Sequence, residues 1–125
     1  MSKRYPELIL DDMLDCIDTI STFAQGLTAD ELLESRLHRD AIIRNLEVLG
    51  EAANQLGSEV QALDSTIPWA KIISFRNRLI HEYHGVNWEV VLNVIVQELP
   101  TLKEHLSILY DQIPKQVDLK KEQKD

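Results

Sequence analysis

The chain has 125 residues, 44% of them hydrophobic, and a formal net charge of −8 at pH 7. This length suits one domain with a real core, and the low counts of glycine and proline, four each, favour helices over a sheet-rich fold. The acidic balance excludes a nonspecific nucleic-acid coat protein, because phosphate binding needs a positive field. A small basic pocket on an acidic body remains compatible with it.

Cys16 is the only cysteine, which excludes an intrachain disulfide and a cysteine-based metal site. Its apolar neighbours Met13, Leu14 and Ile17 predict a buried thiol. The first residues lack an apolar signal core, and no run approaches the ~18 apolar residues of a membrane span. We therefore expect a cytoplasmic protein that makes no contact with a membrane.

Five segments have helical patterns. The first covers residues 6–25, with Pro6 suited to its first turn and Gly26 to its C-terminal cap. Thr28 and Glu31 have the spacing of a capping box, in which a hydroxyl and a carboxylate cap the same helix start. This box predicts a short second helix that ends near Ser35.

The third predicted helix covers residues 37–56, and we expect Gly57 to stop it. The fourth covers residues 67–82, with Ser65 or Thr66 as its N-terminal cap and a proline in its first turn.

The last predicted helix covers residues 88–113, begins after a cap at Asn87, and should kink at Pro100. Its apolar residues cover more than one stripe, and the second stripe favours a dimer interface. The sequence therefore predicts an all-α, four- to five-helix bundle over residues 1–113, a homodimer, and a flexible charged tail over residues 114–125.

Arg76 is the main anomaly of the fourth helix, because it falls on the predicted buried face. The apolar residues of that face are Trp69, Ile72, Phe75, Leu79, Ile80 and Tyr83. A guanidinium in that position needs a carboxylate, a phosphate or an open cleft. The structural alternative is an ion pair with Glu47 or Glu51.

His81 lies five residues beyond Arg76, about 140° around a straight helix. The two side chains can converge if the helix unwinds near His81, or if a two-fold axis combines residues of two copies. Asn77 and His84 share the side of His81. Guanidinium, amide, imidazole and the phenol of Tyr83 together suit ribose-phosphate chemistry without a metal, because imidazole titrates near neutrality and guanidinium stabilises charge on phosphate oxygens.

Other polar residues are weaker candidates. Asp40, Asn45 and Glu51 could support the site, and Glu51 could equally be the structural partner of Arg76. The pair His81 and His84 has unconvincing metal-ligand spacing, so we expect no metal and no cofactor. Six further residues form a basic set: Arg36, His38, Arg39, Arg44, Lys71 and Arg78. They could line a groove that binds successive phosphates, or they could be ordinary solvated surface charge. His38 could instead be a core histidine whose hydrogen bonds are satisfied.

The segment Arg76-Asn-Arg-Leu-Ile-His81-Glu-Tyr83 resembles the Arg-x4-His-x-Tyr motif of HepT-like toxins, members of the HEPN superfamily of small helical ribonucleases. Upstream, Arg44-Asn-Leu-Glu-Val-Leu-Gly50-Glu-Ala resembles the second signature of the same family, and the resemblance covers about residues 5–113.

The resemblance implies an endoribonuclease toxin of a type VII-like toxin–antitoxin system, with RNA as substrate. It implies a homodimer whose cleft holds Arg76 and His81 of both chains, assisted by Asn77. It also implies a cognate minimal nucleotidyltransferase antitoxin that neutralises the toxin by AMPylation, transferring AMP from ATP to Tyr83. The added phosphate and nucleotide would occupy the cleft that RNA needs.

Two other functions remain open at the level of sequence. A noncatalytic HEPN module would bind and regulate a nucleotidyltransferase or a nucleotide. A plain helical interaction protein would use Arg76 only in a structural ion pair with a glutamate. RNA cleavage that depends on Arg76 and His81 would separate the first function from both.

Overall fold

The computed structural model describes residues 4–82 and 85–115, and within these ranges it is all-α, with no strand. This confirms the predicted fold class. The elements in chain order are α1 (Pro6–Ala24), α2 (Ala29–Glu34), α3 (Arg36–Gln61), α4 (Trp69–His81), α5 (Trp88–Asn93), a π-helical segment (Val94–Glu98) and α6 (Leu99–Gln112). Most of the predicted tail, from residue 116 onward, lies outside the described residues.

The first two helices begin and end at the predicted signals. Pro6 opens α1, and Gly26 follows its end with a φ of 74° that glycine adopts without a steric cost. The capping box of α2 is complete: the Thr28 hydroxyl accepts from the Glu31 N–H at 3.2 Å, and the Glu31 carboxylate accepts from the Thr28 N–H at 3.0 Å.

The third helix breaks at Gly57, as predicted, where φ is 82°. One further helical turn follows this kink, so α3 as a whole ends at Gln61. The Gln61 side chain stabilises this turn by donating to the Ala53 carbonyl at 2.9 Å. A single glycine can absorb a kink when the next residues regain helical contacts.

The predicted start of the fourth helix is wrong. Neither Ser65 nor Thr66 caps α4; Pro68 occupies the cap position without a side-chain hydrogen bond. The N–H and the hydroxyl of Thr66 instead donate to the carboxylate of Asp64, two residues earlier in the chain. The indole of Trp69 donates to the Asp64 carbonyl at 3.0 Å and anchors the first turn of α4.

The last helix was predicted to kink at Pro100, and the structure places a π-helical segment, Val94–Glu98, directly before Leu99 and Pro100. Proline has no N–H to donate to the carbonyl four residues earlier, that of Val96. The Leu99 N–H correspondingly donates to Val94, five residues back. The result is three consecutive elements where one kinked helix was expected.

The core lies where α1 packs between α3 and α6, and α4 packs on α3. Trp69 is buried, which confirms its expected place on the buried face of the fourth helix. Trp88 is buried as well, and Cys16 is buried as predicted. Val90 and Val96 of the last segment remain more than half exposed, at 53% and 56%. The described residues therefore leave uncovered the apolar surface that suggested a dimer interface.

Candidate active site

The α4 helix is the basic element of an acidic protein. It carries Lys71, Arg76 and Arg78 and no acidic residue, whereas each of the other described α-helices has more Asp and Glu than Lys and Arg. His81 is its last residue, and both Arg78 and His81 lie in its last turn. Basic residues near a helix C-terminus are favoured by the helix dipole. The charge distribution thus concentrates anion-binding groups on one helix.

Arg76 is held at a close contact between α3 and α4. A Cβ atom added to Gly50 would lie 2.2 Å from the Cβ of Arg76, 2.7 Å from its Cγ and 3.2 Å from the carbonyl oxygen of Ile72. No larger residue at position 50 permits this approach. The stem of Arg76 is therefore packed against the backbone of α3, and the side chain is half-buried.

The guanidinium of Arg76 has no carboxylate partner among the described residues. One of its terminal nitrogens donates to the Asn77 side-chain oxygen at 2.9 Å. Its Nε is buried and makes no hydrogen bond in the described part of the chain. The alternative of a structural ion pair with Glu47 or Glu51 is thus not realised, and the guanidinium retains donors for another anion.

His81 is exposed and ends a regular helix. The Glu82 N–H donates to the Arg78 carbonyl at 2.8 Å, so α4 does not unwind before His81. The unwinding route to convergence is therefore wrong, and Arg76 and His81 of one chain occupy different sides of α4. Tyr83 and His84, the predicted AMPylation site and the second histidine, lie outside the described residues.

The three candidate supporting residues have different surroundings. Asp40 pairs with Arg36 at 3.4 Å, one turn away on α3. The Asn45 amide donates to the Ala41 carbonyl at 2.8 Å, within the same helix. Glu51 is exposed. None of the three makes a hydrogen bond or an ion pair with Arg76 in the described part of the chain.

Two residues of the basic set at the start of α3, His38 and Arg39, have structural roles. Arg39 donates to the carbonyls of Leu32 and Leu33 and so caps the end of α2. The His38 ring bonds the Ser35 hydroxyl and packs edge-on against Phe23 at 5.7 Å. His38 is therefore a satisfied structural histidine, as one of the two alternatives anticipated.

The close approach of Gly50 to α4 could not be predicted, because nothing in a sequence shows which helix a glycine will meet. A groove of about 670 Å³ lies between α4, the end of the π-helical segment and α6. Lys71 and Arg78 line it on the α4 side and His105 on the α6 side. Of the basic set that could line a groove for successive phosphates, Lys71 and Arg78 line this one and the members on α3 do not; the contribution of His105 was not predicted.

Cys16 is a poor nucleophile here. Burial raises the pKa of its thiol to about 11, and the carboxylates of Asp12 and Asp15 act in the same direction. A thiol with that pKa carries almost no thiolate at neutral pH. The chemistry of the chain therefore has to come from other groups.

The described ranges contain no group of three or more His, Cys, Asp or Glu side chains that could hold a metal ion. Within the same ranges, no helix combines the length and the apolar character that crossing a bilayer requires.

The described part of the chain is thus all-α, with one basic helix that carries an arginine without a carboxylate partner and an exposed histidine five residues further on. Residues 13–109 match the model of the family described as ribonuclease HepT-like. The chain belongs to this HepT-like ribonuclease family of the HEPN superfamily, which confirms the resemblance.

Individual relatives span most of the chain. It is 32% identical over 112 residues to "Putative RNase MJ0127" of Methanocaldococcus jannaschii, covering 89% of this chain and 93% of the relative. It is 31% identical over 101 residues to "Probable ribonuclease HepT" of Thermococcus cleftensis, covering 81% and 92%. A third relative, "Gamma-glutamylcyclotransferase and putative RNase MJ0434" of M. jannaschii, is 29% identical over 113 residues, which make up 90% of this chain but 51% of that protein. No solved structure matches the chain significantly.

Proposed function

We propose that the protein is the toxin of a type VII-like toxin–antitoxin system, a metal-independent endoribonuclease whose site forms in the cleft of a homodimer. The observation that carries this proposal is the state of Arg76: fixed by Gly50, oriented by Asn77 and without a carboxylate partner in the described ranges. Keeping a guanidinium half-buried and unpaired costs free energy, and such a cost is typical of a binding site. The names of the relatives support RNA as the bound anion.

In the proposed reaction, the neutral imidazole of His81 takes the proton of a ribose 2′-hydroxyl, and the 2′-oxygen attacks the adjacent phosphorus. The bond from phosphorus to the 5′-oxygen breaks. His81 of the second copy, as imidazolium, gives its proton to that oxygen. Arg76 stabilises the charge on the non-bridging oxygens. The products are a 2′,3′-cyclic phosphate and a 5′-hydroxyl.

A dimer accounts for the separation of the two residues in one chain. Because Arg76 and His81 lie about 140° apart on α4, a phosphate bound to both in one chain would have to reach around the helix. A two-fold axis beside α4 instead brings Arg76 of one copy towards His81 of the other.

Regulation is proposed at Tyr83, two residues beyond His81. The phenol oxygen of Tyr83 would attack the α-phosphorus of ATP on a nucleotidyltransferase antitoxin, releasing pyrophosphate and leaving AMP on the tyrosine. The new phosphate would compete with RNA for Arg76 and repel the substrate.

Intact mass and RNA cleavage test this proposal together. The protein is expressed alone and with the nucleotidyltransferase encoded beside it, if one is present. We expect AMP on Tyr83 after co-expression, cleavage only by the unmodified protein, and cyclic-phosphate ends on the products. Products with a 3′-hydroxyl would contradict the mechanism.

The second candidate is the noncatalytic module, which the separation of Arg76 and His81 within one chain favours. It predicts tight binding of the nucleotidyltransferase or of a nucleotide, with no cleavage by the pure dimer. Cleavage that survives both Arg76→Ala and His81→Ala would indicate a contaminating nuclease and would remove the support for the first candidate.

A further inference from the structure

The groove beside α4 has the size and chemistry of a site for a nucleobase. We infer that it receives an unpaired base of a single-stranded RNA, while phosphates of the same strand bind Lys71 and Arg78. The inference rests on the proposed function, because it assigns the substrate of that site to single strands and loops. Three observations carry it: the apolar floor, the cationic rim and the position of His81.

The floor of the groove is apolar. Leu49 of α3, Phe75 of α4 and Leu102 of α6 line it, and Phe75 is half-buried, so that part of its side chain remains accessible. A volume of about 670 Å³ lies within the range of small-ligand pockets, roughly 300–1,000 Å³. Aromatic side chains beside a backbone-binding strip are the usual platform for unpaired bases.

The rim on the α4 side is cationic. Lys71 and Arg78 are seven residues apart, so they lie on one side of α4 about 10 Å from each other. The nearest Arg78–Glu82 distance is 3.9 Å, which is long for an ion pair, and the Arg78 side chain is 73% exposed. This pair is therefore weak and leaves the guanidinium available to bind another group. His105 adds a third basic group on the opposite wall. Glu98 is the one carboxylate among the described lining residues.

The groove is continuous with the proposed reaction site. Arg78 and His81 are three residues apart on α4, which makes them neighbours on the helix surface. A strand whose scissile phosphate lies at His81 therefore passes Arg78 before it reaches the groove. Bases of a duplex are stacked and paired and do not enter such a groove, whereas bases of loops and single strands do.

Binding to a protein that cannot cut tests the inference. The full-length His81→Ala protein is titrated against a fluorescent single-stranded RNA and against the same sequence in a duplex. We expect the single strand to bind at least tenfold more tightly than the duplex. In the same background, Lys71→Gln with Arg78→Gln should weaken binding of the single strand at least tenfold. The slope of log K against the logarithm of the salt concentration should decrease in magnitude by about 1.4, as expected when contacts to two phosphates of a single strand are lost.

Two further variants control for general charge and for folding. Lys103→Gln removes an exposed lysine of α6 that does not line this groove, and it should leave affinity within about twofold. Phe75→Leu keeps an apolar floor but removes the aromatic face, and it should weaken binding of the single strand about tenfold with little change in melting temperature.

Equal affinity for duplex and single strand, or affinity that ignores both the cation pair and Phe75, would overturn the inference. If these variants instead change the oligomeric state, a second copy of the chain covers the groove, and the inference also fails. The proposed function fails separately: wild-type protein that binds RNA through the groove but never cuts it is a binding module. Wild-type protein that cuts RNA with no contribution from the groove leaves only the inference wrong.

Discussion

Gly50 of α3 and Arg76 of α4 are in contact at a distance that only glycine permits, with 2.2 Å between a hypothetical Cβ at position 50 and the Cβ of Arg76. The contact joins the two segments that resemble the family signatures. It gives the glycine of the upstream signature a physical role, because the place of the arginine depends on it.

Replacement of Gly50 by alanine should therefore affect both stability and cleavage. The helices must separate to admit the methyl group, and overpacking of this kind costs about 1–3 kcal/mol. Thermal or urea unfolding measures the first effect, and RNA cleavage by the folded fraction measures the second, which we expect to fall at least tenfold. Gly85→Ala is the matched control, since nothing lies within 4 Å of an added Cβ there. Equal unfolding curves for Gly50→Ala and wild type would contradict the geometry.

Arg76→Gln separates a structural arginine from a functional one. Breaking a buried ion pair costs about 3–5 kcal/mol, but Arg76 has no carboxylate partner in the described ranges. We expect the free energy of unfolding to change by about 1 kcal/mol or less and cleavage to fall about 10²–10³-fold, as for loss of one charge-stabilising donor. Chemical denaturation and a cleavage assay are run on the same preparation. A large loss of stability with full activity would restore the structural explanation.

Mixing two inactive variants tests whether the site is shared between copies. Arg76→Ala and His81→Ala homodimers should each lack cleavage. When they are denatured together and refolded, heterodimers contain one cleft with Arg76 from one copy and His81 from the other. Because the proposed reaction uses His81 of both copies, we expect the mixture to stay inactive, and recovery of cleavage would show that one His81 is enough. A covalently linked dimer of one wild-type half and one His81→Ala half should also be inactive, whereas a site within one chain would leave its wild-type half active.

The exposed valines of the last segment should mediate dimerisation. Val90→Glu with Val96→Glu places charges on apolar surface, and interface cores are depleted of charge. Light scattering should report a monomer with an unchanged circular dichroism spectrum. Leu63→Glu, at a residue 59% exposed but distant in sequence from that segment, is the control and should remain dimeric. A dimer that persists in the double variant would place the interface elsewhere.

The acidic stripe of α1 predicts a pH effect on stability. Burial, and then the charges of Asp11, Asp12 and Asp18, raise the pKa of Asp15 above its usual 3.8. The ionised form is thus disfavoured in the folded state, and it costs stability once the pH rises above the raised pKa. Asp15→Asn should therefore raise the melting temperature at pH 7, and this gain should vanish below about pH 3.8.

The measurement is the melting temperature between pH 3 and pH 7. Asp18→Asn is the matched control, because Asp18 pairs with Lys103 at 2.7 Å and its neutralisation removes an attraction. A gain for Asp18→Asn as large as that for Asp15→Asn would mean that net charge, not the local environment, is responsible.

The features that the sequence predicted correctly are local ones. The capping box at Thr28 depends on neighbours within one turn, and it is present. Ile80 was expected on the buried face but is 43% exposed, because α3 does not cover that edge of α4. The missing partner of Arg76 and its contact with Gly50 join residues far apart in sequence, and no helical period encodes such a contact.

The π-helical segment before Pro100 determines which neighbours the end of the chain can reach. Its wider turn winds less per residue than an α-turn, so the apolar stripe changes direction as it passes from α5 to α6. As a result, α5 packs on α2 while α6 packs on α1. One evenly spaced row of apolar residues thereby contacts two different helices, α2 and α1. Pro100 marks the point in the chain where the contact changes from one to the other.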